Sequence, residues 1–194
     1  VVEAVPESMD LKVGSFKKIA DASPEAVIAT NTSSLSVSDL ALTVDNDVIG
    51  LHFFNPVPAS KLVEIVVADS TPEPLVDEAR GWVEALGKTP IVVKDAPGFA
   101  SSRLGVVIAL EAIRMVEEGV ASAQDIDNAM VLGYKFPVGP LALTDIVGLD
   151  VRLGIAEYLA STRGDRFAPP QLMRDMVERG ELGRKSGKGF YDYS

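Results

Sequence analysis

Several residue types and patterns are absent from this sequence, and each absence excludes a class of function. The chain contains no cysteine, which excludes disulfide and thiolate chemistry. No apolar run approaches the ~18 residues that a membrane span requires, and no stretch resembles a signal peptide. Acidic residues outnumber basic ones, and the formal net charge of −10 argues against a nucleic-acid partner. We therefore expect neither a membrane nor a nucleic-acid partner, and by default a location in the cytoplasm.

Two nucleotide-binding patterns are also missing. The dinucleotide fingerprint Gly-x-Gly-x-x-Gly does not occur, so the residues alone do not establish a nicotinamide site. The stretch GRKSGKGF at 183–190 is similar to a phosphate loop, but its first two glycines are one residue too close and no strand-like run precedes it. We interpret it as a flexible basic turn. The chain also begins inside a strand-like run, VVEAV, without methionine, so we expect that an amino-terminal part is missing.

The first half of the chain alternates between two kinds of pattern. Short runs rich in β-branched residues predict strands at 1–5, 26–30, 47–54, 62–68 and 91–94. Their continuous apolar character is typical of strands that are buried on both faces, as in a parallel sheet. Helical patterns at 9–20 and 74–86 lie between some of these runs. Alternating strands and helices predict an α/β architecture built from βαβ units.

The pattern changes after Lys94, and we place a domain boundary there, between residues 1–94 and 95–194. The second part contains helical apolar periodicity, at 99–118, 122–132, 141–147, 151–159 and 170–179. Ser122 is a candidate N-cap, and Gly119 and Gly133 are candidate helix stops. No convincing strand follows until the tail GFYDY. We therefore expect an all-helical second domain.

The single histidine, His52, is the first candidate for chemistry. It lies near the end of a strand-like run, and Glu64 follows twelve positions later in the next one. If the two strands are neighbours, the carboxylate can fix the imidazole tautomer and prepare the other ring nitrogen as a general base. Ligands bind at the ends of strands in open α/β sheets. The alternative is a hydrogen-bonded core histidine, and the spacing alone leaves both interpretations open.

The segment TNTSSLS at 30–36 is the second candidate. It concentrates hydroxyl and amide groups where a strand ends and a helix can begin. Such groups can bind a ligand oxygen, or they can cap the helix, which is their commoner use. Both uses remain open at this point.

Six blocks together resemble the L-3-hydroxyacyl-CoA dehydrogenase family, and most of all its bacterial 3-hydroxybutyryl-CoA type. They are VVEAVPE, TNTSSLS, GLHFFNPVPASKLVEIV, KDAPGFASSRL, VGPLALTDIVGLD and LGRKSGKGFYDY, which occur in this order over essentially the whole chain. The resemblance implies the carboxyl-terminal part of a Rossmann-like parallel sheet in a partial NAD-binding domain, followed by an all-helical dimerisation domain. It also implies NAD as the cofactor, an acyl-CoA substrate and a homodimer.

The resemblance assigns the reacting groups to particular residues. His52 matches the base that removes the hydroxyl proton, and Glu64 matches the carboxylate that orients it. Ser33 matches the residue that contacts the substrate oxygen, and Asn55 matches another active-site amide. Ser102 stands where many relatives have asparagine, so a shorter hydroxyl donor replaces an amide that holds the substrate oxygen.

The resemblance also implies cofactor contacts. Glu7, Lys12, Ser33 and Asn55 match residues around the nicotinamide half, and Lys185 matches a tail lysine that reaches the cofactor from the helical domain. No metal ligand is implied. In the family the glycine fingerprint and the acidic ribose ligand precede the VVEAV strand, so we expect a truncated form with intact chemistry and weakened NAD binding. Two alternatives are a crystallin-like relative without turnover and a segment of a multifunctional fatty-acid oxidation protein.

Overall fold

The chain contains two compact units, Val1–Ala100 and Ser101–Ser194. They are seen in a computed structural model that describes residues 1–193. The domain boundary predicted after Lys94 lies a few residues before the division between the units. The strand that ends at Lys94 and the turn that follows it both belong to the first unit.

The first unit is a five-stranded sheet with helices between most of its strands. The strands lie side by side in chain order and are β1 (Val2–Glu3), β2 (Ile28–Thr30), β3 (Val48–Phe53), β4 (Leu62–Val67) and β5 (Thr89–Lys94). The helices are α1 (Met9–Ala22), α2 (Val37–Ala41) and α3 (Glu73–Ala85). Every strand predicted for this unit is present, although β1 is shorter than the predicted run 1–5. The predicted α/β class is therefore confirmed.

The sheet is not wholly parallel, which corrects one expectation. β1, β2 and β3 pair in parallel, and so do β4 and β5, whereas β3 and β4 pair antiparallel. A parallel crossover needs about a dozen residues or more. The connection at 54–61 is shorter than that, so the chain must turn back on itself. This turn sets the register in which His52 lies directly opposite Glu64.

Helices cover both faces of the sheet, which explains the continuous apolar strands. Phe16 of α1 and Leu40 of α2 pack with Val48 and Val66 on one face. On the other face, residues of α3 pack with alternate strand residues; this cluster includes Leu75, Ala79, Val83, Ile49, Leu51, Val63 and Ile65. A Cβ atom at Gly50 would lie 2.6 Å from Cβ of Val66 on the neighbouring strand β4, so glycine is required at this position of β3.

The second unit is built from helices. They are α4 (Ser101–Glu117), α5 (Ala123–Asn128), α6 (Pro140–Val147), α7 (Leu149–Arg163) and α8 (Gln171–Glu178). Ser122 caps α5 by accepting a hydrogen bond from the amide of Asp125, as predicted. The predicted tail strand is reduced to single bridges, in which Lys188 pairs with Gly183 and with Asp192. Within the described residues, no helix is both long and apolar enough to cross a bilayer.

Two buried aspartates hold the second unit together. Asp127 accepts hydrogen bonds from the amides of Leu141 and Ala142 at the start of α6, where helical amides lack partners within the helix. Asp145 accepts hydrogen bonds from the amides of Phe190 and Tyr191 in the tail. The tail is therefore attached to α6 by charge-assisted hydrogen bonds, which are roughly twice as strong as neutral ones.

Candidate active site

A buried histidine–carboxylate pair joins β3 to β4 in the first unit. Nδ1 of His52 lies 2.7 Å from Oε2 of Glu64, and the two side chains are 6% and 0% exposed. An ionised carboxylate can only accept, so Nδ1 is the donor and carries a proton. The second ring nitrogen, Nε2, is then the one that can accept a proton. The sequence predicted this contact on the condition that the strands of His52 and Glu64 are neighbours, and β3 and β4 are neighbours in the sheet.

Two aromatic rings flank the imidazole. The ring centroid of Phe54 is 4.4 Å from that of His52, and the centroid of Phe99 is 5.8 Å away. Phe53, the residue directly after His52, packs instead with the α3 side of the sheet. Successive strand residues point to opposite faces, so His52 and Phe53 cannot share one face. Of the two phenylalanines that follow His52, Phe54 is the one whose ring contacts the imidazole, because it lies beyond the end of the strand.

The turn after β5 completes the surroundings of the pair, and its role was not predicted. Gly98 and Phe99 both have positive φ angles, of 75° and 48°. Phe99 is 4% exposed, and the next amide, that of Ala100, donates a hydrogen bond to Oε1 of Glu64 at 3.2 Å. A non-glycine residue in this conformation costs about 1–2 kcal/mol. The Pro-Gly pair at 97–98 was the available signal for a special turn.

The segment after β2 is held by one carboxylate. Oε1 of Glu7 accepts hydrogen bonds from the amides of Ser33 and Ser34, at 2.9 and 3.0 Å, and from the hydroxyls of Thr32 and Ser34, at 2.7 and 3.2 Å. The sequence predicted Glu7 and Ser33 as ligand contacts. The structure brings them together, so that Glu7 orients the backbone on which Ser33 lies.

Lys12, another predicted cofactor contact, lies inside the protein. Its side chain is 1% exposed, and Nζ lies 3.0 Å from Oε1 of Glu3 and 3.6 Å from Oε2 of Glu7. Glu3 also accepts a hydrogen bond from the hydroxyl of Thr30 at 2.8 Å. The charged atoms of Lys12 are thus engaged by protein carboxylates, and its role as a cofactor contact stays a prediction.

Two further side chains connect the strand ends: Asn31 belongs to the candidate segment 30–36, whereas the sequence did not single out Asp95. Oδ1 of Asn31 accepts a hydrogen bond from the amide of Phe53, the residue after the candidate base, at 2.9 Å. Oδ2 of Asp95 accepts from the amide of Ser38 at 2.8 Å and from the hydroxyl of Ser36 at 3.1 Å. Both contacts join residues that are distant in sequence, which short-range motifs do not reveal.

The remaining predicted residues lie in different places. Asn55 is exposed and follows β3, so it lies at the end of the strand that carries His52. Ser102 lies in the first turn of α4, in the second unit. Lys185 is also in the second unit, where its Nζ is 2.6 Å from Oδ2 of Asp150. Burial alone would raise the pKa of Asp150, but the hydrogen bond and charge of Lys185, together with backbone hydrogen bonds, lower that pKa.

The groups at the strand ends of the first unit fit the neutral ribose and carboxamide groups of a dinucleotide. β1, β2 and β3 run parallel, so their carboxyl ends meet at one edge of the sheet, where open α/β sheets bind ligands. The donors and acceptors that follow these ends are the hydroxyl of Ser33 and the amide of Asn55. Hydroxyl and amide groups suit a ribose or a carboxamide, which also carry donors and acceptors without charge.

A Rossmann-like unit with a histidine–carboxylate pair at its strand ends defines the class of this chain as an NAD-binding oxidoreductase. The comparisons with known proteins make the family specific. Residues 1–96 match the NAD binding domain of 3-hydroxyacyl-CoA dehydrogenase, and residues 98–193 match the C-terminal domain of 3-hydroxyacyl-CoA dehydrogenase. The chain belongs to the 3-hydroxyacyl-CoA dehydrogenase family. These matches do not confirm the expected loss of an amino-terminal part, which stays a prediction.

Individual relatives agree with the family. The chain is 44% identical over 197 residues to a probable 3-hydroxybutyryl-CoA dehydrogenase of Bacillus subtilis, covering 100% of this chain and 69% of the relative. It is 40% identical over 198 residues to a 3-hydroxybutyryl-CoA dehydrogenase of Clostridioides difficile, covering 100% and 70%. The solved structure of an (S)-3-hydroxybutyryl-CoA dehydrogenase from Ralstonia eutropha matches with a TM-score of 0.95 and 42% identity, again covering 100% and 70%.

Proposed function

We propose that this protein oxidises the 3-hydroxyl group of an L-3-hydroxyacyl-CoA to a ketone. The observation that carries the proposal is the buried contact between Nδ1 of His52 and Oε2 of Glu64. A histidine held in this way at a strand end is suited to general-base catalysis. The relatives described above are named for 3-hydroxybutyryl-CoA, which supports a short acyl chain.

In this proposal His52 removes the proton from the substrate hydroxyl through Nε2. The imidazole becomes positively charged as it takes the proton, and the carboxylate of Glu64 stabilises that charge at 2.7 Å. Burial strengthens this interaction, because water is excluded from the space between the two groups. The rings of Phe54 and Phe99 restrict the rotation of the imidazole, so that Nε2 keeps one direction.

The oxidation also needs an acceptor for the electrons of C3. NAD+ supplies this by accepting a hydride when it is bound. We propose Ser33 as a contact of the substrate oxygen, Asn55 as a second polar contact at the strand ends, and Ser102 as a further substrate contact. Lys185 is the proposed cofactor contact from the second unit, although its ammonium group is paired with Asp150.

The test measures NADH formation from L-3-hydroxybutyryl-CoA and NAD+, with the D enantiomer as the control substrate. The protein is used in the form that the cell produces. We expect turnover of the L substrate alone, and a decrease in kcat of ~10²- to ~10⁴-fold for His52→Ala. A rate unchanged by His52→Ala would contradict the role of the base. Failure to form ketone from any 3-hydroxyacyl-CoA would contradict the reaction.

The alternatives make different predictions in the same assay. A crystallin-like relative would show no turnover, although the retained His52–Glu64 contact gives no support to a purely structural role. A segment of a multifunctional protein would be recognised from the flanking sequence. The expected truncation is tested by comparing the NAD+ affinity of residues 1–194 with that of a chain extended upstream in the same reading frame.

We further propose that two copies associate through the second unit. Large apolar side chains are exposed on its helices and turns, among them Leu104 (61%), Leu132 (67%), Tyr134 (75%) and Val151 (46%). Such side chains gain from burial in a partner interface. Sedimentation at several concentrations measures this association, and a monomer at every concentration would contradict it.

A further inference from the structure

The Glu3–Lys12 ion pair has no place in the chemistry proposed above. The two side chains are each 1% exposed, and their charged atoms are 3.0 Å apart. Removing charges from water costs several kcal/mol for each ion, so such a pair is weak support for the fold by itself. The presence of such a buried ion pair is best explained by the neighbouring groups that it orients.

The pair is linked to the segment that follows β2 in two ways, directly through Thr30 and indirectly through Glu7. One oxygen of Glu3 accepts a hydrogen bond from the hydroxyl of Thr30, the last residue of β2. Its other oxygen accepts a hydrogen bond from the amide of Val5. Lys12 lies 3.6 Å from the second oxygen of Glu7, which leaves the first oxygen of Glu7 for the loop. One buried cation therefore orients two carboxylates, and both face the same short segment.

Glu7 uses its first oxygen entirely on that segment. This atom, Oε1, accepts hydrogen bonds from the amides of Ser33 and Ser34 and from the hydroxyls of Thr32 and Ser34. Charge-assisted hydrogen bonds are about twice as strong as neutral ones. One carboxylate oxygen offers about two lone pairs, so the four donors share it, and together they hold the backbone at Ser33 against Glu7.

We infer that Glu7 is a positioning residue, which acts through Ser33 and is itself oriented by the buried Lys12–Glu3 pair. This inference rests on the proposed function, because it gives Ser33 a role at the substrate oxygen. It assigns to Glu7 and Lys12 a different task from the cofactor contact expected from sequence. A displacement of about 1 Å of a substrate-positioning group can cost ~10²-fold in rate, so the fixation of Ser33 matters for turnover.

A double-mutant cycle separates the two roles. Glu7→Ala, Ser33→Ala and the double variant are compared for kcat, for KM and for the dissociation constant of NAD+. If Glu7 acts through Ser33, Glu7→Ala lowers kcat by about 10-fold or more in the parent protein. In the Ser33→Ala background it should change kcat less than about twofold, because the group that it positions is gone. Glu7→Ala should change the NAD+ dissociation constant little in both backgrounds.

The inference would be overturned if the effects of Glu7→Ala and Ser33→Ala on kcat were independent of each other. If Glu7 contacts the cofactor directly, the losses of the two single variants multiply in the double variant, and Glu7→Ala weakens NAD+ binding. Glu7→Gln is the conservative variant: its amide oxygen still accepts from the loop, so it should recover most of the rate lost in Glu7→Ala. Asp10→Asn, an exposed carboxylate at the start of the same helix, is the matched control and should leave kcat unchanged.

Amide hydrogen exchange tests the geometry without any assay of activity. We expect the amides of Ser33 and Ser34 to exchange faster in Glu7→Ala than in the parent protein and in Asp10→Asn, since they lose their acceptor. Unchanged exchange would overturn the inference even if turnover falls. If the parent protein shows no turnover, the proposed reaction fails, while the exchange data still decide whether Glu7 holds the segment. Lys12 is left intact, because its loss would leave the buried carboxylate of Glu3 without a cation.

Discussion

His52 and Glu64 occupy directly opposite positions on β3 and β4, and this register brings Nδ1 and Oε2 to 2.7 Å. In an antiparallel pair, opposite residues project from the same face with their Cβ atoms about 4.5–5.5 Å apart. A shift of one residue in the pairing would move one of the two side chains to the other face. The short connection between the strands therefore determines whether the pair exists at all.

Replacement of Glu64 by Gln should lower kcat by ~10²- to ~10⁴-fold while the protein stays folded. The amide can donate to Nδ1, which favours the tautomer with a proton on Nε2, and that tautomer cannot accept the substrate proton. The measurement is kcat together with its pH profile. Glu84→Gln, an exposed change in α3, is the control and should retain the parent rate. Equal rates for the two variants would contradict the role of Glu64.

Because Phe99 has a positive φ angle, we expect an unusual order of stability for its alanine and glycine variants. Phe99→Ala should lower the free energy of unfolding by about 3–5 kcal/mol, because it removes a buried ring. Phe99→Gly removes the same ring but also relieves the left-handed backbone at 48°, so it should be at least as stable as Phe99→Ala. Urea unfolding of both variants measures the difference.

Phe16 provides the matched comparison, because it is also fully buried but lies inside α1. There Phe16→Gly should be less stable than Phe16→Ala by about 0.5–1 kcal/mol, as glycine is disfavoured within a helix. The same order of Ala and Gly at both positions would show that Phe99 is not held in the left-handed region.

The tail should loosen at alkaline pH. Burial, followed by the hydrogen bond to Asp127 at 2.7 Å, raises the pKa of Tyr191 above its usual value of about 10. A raised pKa in the folded state means that the stabilisation is complete below the unfolded pKa and is lost as the pH rises toward the folded one. Tyr193, which donates to Asp145, has a raised pKa for the same reasons.

The measurement is the free energy of unfolding of the parent protein and of Tyr191→Phe between neutral pH and about pH 11. We expect a difference of about 1–3 kcal/mol at neutral pH that shrinks above about pH 10. Tyr134→Phe, at a residue that is 75% exposed, is the control. A difference that stays constant across this range would contradict the contribution of the hydroxyl proton.

Arg152 is a buried cation on α7, and part of its guanidinium group lacks a hydrogen-bond partner among the described residues. The residue is 6% exposed, burial lowers its pKa to about 10, and its Nε has no hydrogen-bond partner among the described residues. Because a buried charge with a missing hydrogen bond is unfavourable, Arg152→Met should raise the free energy of unfolding by about 1–4 kcal/mol. Thermal unfolding of this variant measures the gain, with the half-exposed Arg174→Met as control. A loss of stability would show that the guanidinium has an acceptor in solution.

Much of the architecture follows from local patterns. Apolar runs of β-branched residues marked all five strands, and periodicity with caps such as Ser122 marked most helices, because these signals depend on neighbours along the chain. The candidates His52, Glu64, Ser33 and Glu7 were named from sequence, chiefly because ordered blocks resemble a known family. The contact between His52 and Glu64 was predicted on the condition that their strands are neighbours, whereas the contact between Glu7 and the backbone of Ser33 was not predicted. The roles assigned to these residues remain proposals.

By itself, the sequence determined the class of the fold and the types of side chain available at the ends of the strands. Only the tertiary structure decided that β4 runs against β3, that Phe53 turns away from His52 while Phe99 approaches it, and that Lys12 is buried beside Glu3. The physical reason is that these relationships join residues distant in the chain. Their geometry depends on register and on the direction of each side chain, and neither quantity is encoded by spacing alone.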